Sequence, residues 1–208
     1  ESLTHCRVSA SRAIEKRIAS PTMHFSRALR VLSACVLTFV FGVAACSTAQ
    51  SSSIHELVGR VDGTDVLIGV VLESGHAVAY LCDGTDTATD VSTWMDGPAT
   101  ESGFDLEASG VHVHGAFSGG SLTGTARLAD GSSHAFSATA ATGNAGLYRD
   151  STSYVGVIGG WVVLGDGLLR GAVKVDGAGL LPATSALTGS GVVNATAGNL
   201  SLTGTRVS

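Results

Sequence analysis

The sequence is poor in charge, in aromatic rings and in proline, and each shortage excludes something. Charged side chains make up 14% of the 208 residues while 44% are hydrophobic; an ordinary soluble domain carries roughly 25% charge. So much apolar content with so little charge excludes intrinsic disorder over most of the length. Three prolines exclude a proline-rich linker or a collagen-like chain. Aromatics are only 5%, so the core has to be built from Val, Leu, Ile and Ala. Internal disulfides are excluded as well. Of the four cysteines, Cys6, Cys35 and Cys46 precede the body of the chain and only Cys82 lies within it. The fold must stand without a bridge, and Cys82 reads as a small buried hydrophobe.

Positive charge is also scarce where it would matter. Arg7, Arg12, Lys16, Arg17, Arg27 and Arg30 all lie before residue 31, and from Cys46 onward six basic side chains face fifteen acidic ones, a net of −9. Such a surface repels phosphate backbones, so no nucleic-acid partner is expected.

What is present begins with an address. His24–Arg30 holds Arg27 and Arg30, and Val31–Ala45 is an uncharged, mostly apolar run of fifteen residues. A spanning helix needs about 20, whereas a secretory h-region needs fewer. The run Val43-Ala44-Ala45-Cys46 resembles the bacterial lipobox, which implies that Cys46 is lipid-modified and becomes the new N-terminus. A membrane partner held through that lipid anchor, on the outer face of the cell membrane, is the expectation. Met23 stands directly before the basic region, so translation is expected to begin there. Residues 1–22 are then a start-site artefact, 23–45 a signal peptide and 46–53 a flexible polar tether.

From residue 54 onward short β-prone runs alternate with turn signals. Asp-Gly occurs six times, at Asp62, Asp83, Asp96, Asp130, Asp166 and Asp176, and such pairs supply the positive φ of tight hairpins. Val111, Val113, Gly115 and Phe117 share one face of a strand and His112, His114 and Ala116 the other; Leu122–Leu128 alternates in the same way. Val66–Leu72 is apolar on both faces, as in a strand covered on both sides. Two short helical turns are expected, over Thr87–Met95, placing Trp94 over an open end of the sheet, and over Ala145–Arg149. The fold class is all-β: an antiparallel up-and-down meander over 54–177 closing into a small barrel, with a sandwich as the alternative. In-strand glycines such as Gly59, Gly69 and Gly124 favour the curvature of a barrel. The small-residue tail 178–208 adds edge strands. Ser121-Leu122-Thr123-Gly124-Thr125 recurs as Ser201-Leu202-Thr203-Gly204-Thr205, a faint repeat.

Gly59–Thr64, Ala79–Gly84, Trp94, Ala145–Arg149 and Gly160–Leu164 together resemble a domain of exported proteins and lipoproteins in high-GC Gram-positive bacteria, mycobacterial relatives included. The likeness covers about residues 57–175. It implies an exported lipoprotein and carries no catalytic residue.

Chemistry is thinly signalled. His112 and His114, two apart on a strand, project to one face and are the metal candidates, although a third ligand is not evident; His134 falls on the core side of its strand. Asp105 and Glu107 share a strand face and could supply paired carboxylates for glycoside cleavage, a pattern more often found on a solvated surface. Gly189-Ser190-Gly191 lacks the strand-to-helix setting of a nucleophile elbow. Arg149 is expected to pair with an acidic turn residue, and Trp94 and Trp161 to be core residues. No catalytic residue and no cofactor is expected. The leading function is a non-catalytic binding or interaction domain of a membrane-anchored lipoprotein. An apolar-ligand carrier barrel and an envelope hydrolase are the alternatives: an enclosed apolar cavity would favour the carrier, and a cleft with a nucleophile beside a base the hydrolase.

Overall fold

The computed structural model describes residues 55–208, and every element in that range is a β-strand, hairpin or loop. The expected leader, signal peptide, lipid site at Cys46 and tether lie outside the described residues.

Eight strands close a barrel in chain order: β1 (His55–Val61), β2 (Leu67–Glu73), β3 (His76–Cys82), β4 (Ser92–Thr100), β5 (Gly103–Ala108), β6 (Val111–Ser118), β7 (Ser121–Arg127) and β8 (Ser133–Ala140). All pairings are antiparallel, and β1 meets β8 through Leu57↔Ala140 to Val61↔Phe136. The closing seam depends on Gly59, where a Cβ would overlap the Ser137 carbonyl. The meander thus closes into a barrel and not a sandwich, but over residues 55–140 and not the expected 54–177, because the strands after residue 145 pair with one another instead. Closure removes the exposed edges that an open sheet would present.

Remaining strands build a second sheet. They are β9 (Gly146–Asp150), β10 (Val157–Val163), β11 (Leu169–Val175), β12 (Gly179–Pro182), β13 (Thr184–Leu187), β14 (Val193–Ala197) and β15 (Leu200–Arg206). Their order is β12-β11-β10-β9-β15-β14-β13, so the sheet curls until its two ends, joined only through Ala183, nearly meet. The tail residues are therefore strands, and the chain divides at residues 141–145, between the two sheets.

Three apolar clusters follow from the period-two pattern. Inside the barrel Ile68, Val70, Leu81, Val113, Leu122 and Phe136 pack together. Between barrel and second sheet lie Val58, Leu67, Val71 and Tyr80 from the barrel against Leu147, Val162 and Ala172. The third cluster fills the curl of the second sheet around Trp161 and Tyr148. Strand β2 contributes to the first two, with Leu67, Ile68, Val70 and Val71 all under 5% exposed. That double burial is why residues 66–72 are apolar on both faces.

Large rings in a chain with few of them need seats, and glycines provide them. The Trp161 indole, fully buried, lies where Cβ atoms on Gly159, Gly171 and Gly204 would stand. Its Nε1 donates to Ser185 Oγ at 2.8 Å, satisfying the one polar atom of the ring. On the opposite face of β10 the Tyr80 ring occupies the space a Gly160 Cβ would take. The repeated pentapeptide has a structural meaning here. Leu122 and Leu202 are both buried, and Gly124 and Gly204 each lie under a ring, Phe136 and Trp161 respectively.

Neither expected helical turn forms: Thr87–Met95 is loop followed by strand from Ser92, and Ala145–Arg149 falls mostly in strand β9. Residues 83–91 form a loop organised by Asp83, whose Oδ1 accepts from Asp90 N at 3.0 Å and Val91 N at 2.9 Å. Trp94 follows on β4, opposite Tyr80, and stacks on that ring at 4.5 Å on the outer wall of the barrel rather than capping an open end. Residues 146–150 are β9, held between β10 and β15. Sheet neighbours outweigh the weak local helical preference.

Replacing Gly171 by Ala should lower unfolding free energy by about 2–4 kcal/mol, since the new methyl has no space beside the indole. Gly165→Ala, where a Cβ meets nothing within 4 Å, should change it by under about 0.5 kcal/mol. Equilibrium denaturation of both variants checks this; equal effects would refute the seating of Trp161.

Candidate functional site

Alternation places His112 and His114 on the outer wall of the barrel, with Asp105 and Glu107 of β5 facing them across the ladder as Asp105↔His114 and Glu107↔His112. The Asp105 carboxylate sits between the two rings, with His112 Nε2 2.5 Å from Oδ1 and His114 Nδ1 3.3 Å from Oδ2. The hydrogen bond from His112 holds the Asp105 carboxyl below its ordinary pKa, with His114 adding to it. The rings thus converge on a carboxylate, one to each oxygen. Among the described residues no three His, Cys, Asp or Glu side chains are arranged to hold a metal ion. Asp105 is committed to the histidines, so its pairing with Glu107 does not make a glycosidase site.

His134 falls opposite the buried Ala126, on the core side as its alternation requires, at the closed end of the barrel. Its neighbours form a constellation that spacing did not reveal. Nδ1 lies 3.1 Å from the Asp62 carbonyl and Nε2 3.0 Å from Ser132 Oγ. A carbonyl can only accept, so Nδ1 carries a proton and Nε2 of a neutral ring faces the hydroxyl as an acceptor. That is the base–hydroxyl half of a hydrolase. However, Ser132 Oγ also lies 2.7 Å from Asp130 Oδ1, and one proton cannot serve both acceptors. The Asp130–Ser132 turn is exposed at Asp130 and Gly131 and lines neither the barrel mouth nor the cavity beside Arg60. Ser190, in the turn between β13 and β14, bonds to Thr188 Oγ1 at 2.8 Å and has no histidine partner among the described residues.

Trp94 is held between Tyr80 and Arg149, whose guanidinium lies 4.9 Å from the centroid of the indole. The Arg149 partner is thus an aromatic face and not the acidic turn residue expected from sequence. Tyr80 OH shares a hydrogen bond with Ser92 Oγ at 2.9 Å, and burial raises its pKa well above the ordinary value. Beside it Cys82 is fully buried, and burial pushes its thiol up to about 11. A thiol that stays protonated and out of reach is inert.

Two polar side chains that sequence reasoning passed over prove structural. Asp150, 3% exposed, accepts from Thr152 N, Ser153 N and Ser153 Oγ in its own turn and from Thr203 N of β15 at 2.8 Å. Burial opposes its ionisation, but these donors outweigh burial and lower its pKa. Glu56 accepts from Leu147 N at 2.5 Å and from Arg206 Nε at 2.6 Å, and Arg206 also donates to the carbonyls of Gly143 and Ala145.

The mouth of the barrel is a basin of about 1060 Å³ between His55 and the turns at Ser74-Gly75, Glu101 and Gly119-Gly120. Leu57, Leu72, Ala99 and Phe117 line its apolar part. Phe117 leans on Phe104 with ring centroids 5.9 Å apart. At the far end Val61, Val66, Val111 and Leu128 are buried, so the barrel is plugged there and open here. A second, shallower cavity of about 410 Å³ lies beside the Arg60–Asp166 ion pair. No protein-family model, curated protein or solved structure matches this chain.

Native Cys82 should resist alkylation and react only on unfolding. Its peptide should be modified at least about a hundredfold more slowly in buffer than in denaturant; comparable rates would place the thiol at the surface. Asp150 yields a pH test. Its folded pKa lies below the unfolded value, so its contribution is complete above about pH 5 and is lost as pH falls through the lowered pKa. Asp150→Asn should cost about 1–3 kcal/mol near neutrality, and thermal melts should show the gap to the unaltered protein shrinking toward about pH 3.

Proposed function

We propose that the chain is an exported lipoprotein, anchored through Cys46 to the outer face of the cell membrane, whose β-domain binds a partner or ligand without catalysing its conversion. The basic, apolar and small-residue succession ending at Cys46 supports the address, as does the resemblance to exported domains of high-GC Gram-positive bacteria. The net charge of −9 after Cys46 disfavours a nucleic-acid partner.

The observation that carries binding over catalysis is where concavity and chemistry lie. Side chains fill the barrel interior and the curl of the second sheet, and a basin of about 1060 Å³ lies at the barrel mouth. The hydrogen-bonded acid, base and hydroxyl groups lie elsewhere: Asp105 with His112 is on the outer wall, and Ser132 with His134 is at the plugged end. His76 at the rim of the basin stands 3.8 Å from the exposed Asp96, beyond hydrogen-bond distance. A packed barrel also argues against a carrier that encloses its cargo. The reading that remains is a rigid module displayed from the membrane, presenting a surface and a shallow basin.

Intact mass and N-terminal peptide mapping of the protein extracted from its native membrane test the address. A diacylated or triacylated Cys46 is expected, and Cys46→Ser should release the protein from the membrane fraction. An unmodified N-terminus downstream of Cys46 would refute the anchor. One acyl chain gives only marginal binding, whereas two or three at ~0.8 kcal/mol per buried CH₂ hold firmly.

A further inference from the structure

We propose that the barrel mouth is a binding site for a cationic amphiphile, a molecule with an alkyl tail and an ammonium head. The proposal rests on the reading of the domain as a binding module and names what its basin takes. Three observations carry it. The barrel is sealed asymmetrically: the far end is plugged by Val61, Val66, Val111 and Leu128, whereas Leu72, Ala99 and Phe117 at the mouth remain partly exposed. An apolar floor continuous with the core, reached from solvent, suits a hydrocarbon end.

Second, the rim is small and flexible in side-chain terms. Gly75, Gly119, Gly120, Ser118 and Ser121 surround the opening, and none of these five carries a bulky side chain. Third, the charge of the rim selects the head. Glu56 is neutralised by Arg206, and His76 of the rim faces the Asp96 carboxylate at 3.8 Å. Glu56, Arg206, His76 and His55 share the basin with Glu73 and Glu101, which have no salt-bridge partner among the described residues. A cation gains from both carboxylates and from the half-exposed Phe117 ring. A carboxylate or phosphate head would meet like charge.

The test uses full-length protein in native membrane fragments and an alkyltrimethylammonium probe carrying a diazirine at its tail, below its micelle-forming concentration. Probes with the same tail and a carboxylate or hydroxyl head run in parallel. Expected is photolabelling of the peptides bearing Leu72 or Phe117, competed by excess unreactive alkyltrimethylammonium, and about fivefold or more above the carboxylate probe. Ala99→Trp should fill the basin and abolish labelling while the thermal midpoint holds. Should that variant fail to fold, the pair Glu73→Gln and Glu101→Gln replaces it. That pair should keep tail labelling and lose the preference for the ammonium head. Equal labelling by all three heads, labelling spread over other peptides, or labelling that survives a folded Ala99→Trp would each overturn the proposal. These outcomes are independent of lipidation at Cys46, so they fail separately from the anchor.

Discussion

The structure turns on one dipeptide. Gly160 and Trp161 are neighbours on β10, and alternation sends them to opposite faces of the second sheet. Gly160 leaves the space that Tyr80 of the barrel fills, and Trp161 supplies the bulk that fills the curl of the sheet behind it. Exchange of the two would put an indole into the barrel wall and a void into the second core. With only two tryptophans and three tyrosines in the chain, no other ring is placed to make good the loss. Glycine is costly in a strand interior because of its unfolded-state freedom. The cost is offset here by aromatic burial of about 150–250 Å² per ring.

Polar groups then hold what packing alone would leave open. A curled sheet of seven strands has two ends, and its first and last residues must be tied to the barrel. Glu56 does this from β1, taking Leu147 N of β9 on one oxygen and Arg206 of β15 on the other. Its side chain is only 9% exposed, so loss of Arg206 would strand a nearly buried charge. Asp150 plays the matching part inside the sheet, joining the turn after β9 to Thr203. At the other flank Gly171 N donates to the Gly84 carbonyl and Ala183 N to the Thr85 carbonyl, so the loop after β3 bonds directly to the second sheet. With its single cysteine buried as a thiol, the domain ties its two sheets together with these long-range hydrogen bonds rather than with a disulfide.

Much of the architecture was legible because it is written at period two. The alternation in Val111–Phe117 placed both histidines on the outer wall, and the doubly apolar Val66–Leu72 foretold a strand shared by two cores. What escaped depends on partners distant in sequence. Asp150 looks like any turn carboxylate until Thr203, 53 residues on, donates to it, and Glu56 meets Arg206 across 150 residues. The stretch Thr87–Met95 tolerates helix locally, yet Tyr80 opposite Trp94 and the buried Met95 make its second half a strand. The division at residues 141–145 was hidden for a related reason: Thr142-Gly143-Asn144 has the composition of every other turn in the chain.

The same arrangement explains why the mouth alone is left under-packed. A small barrel standing by itself needs both ends sealed, since each partly exposed apolar side chain there forfeits stabilisation of order 1 kcal/mol. Here the outer wall of β1, β2 and β3 gains a second core against β9, β10 and β11, which stabilises the barrel from outside. The end that carries Ser74-Gly75 and Gly119-Gly120 can therefore keep small residues and an apolar floor exposed without loss of the fold. Stability resides in the wall that faces the second sheet and in the plugged end, and the candidate chemistry on the outer wall is tied up in hydrogen bonds of its own. Among the described residues, the open end is thus where apolar side chains stay partly exposed at little cost to the fold.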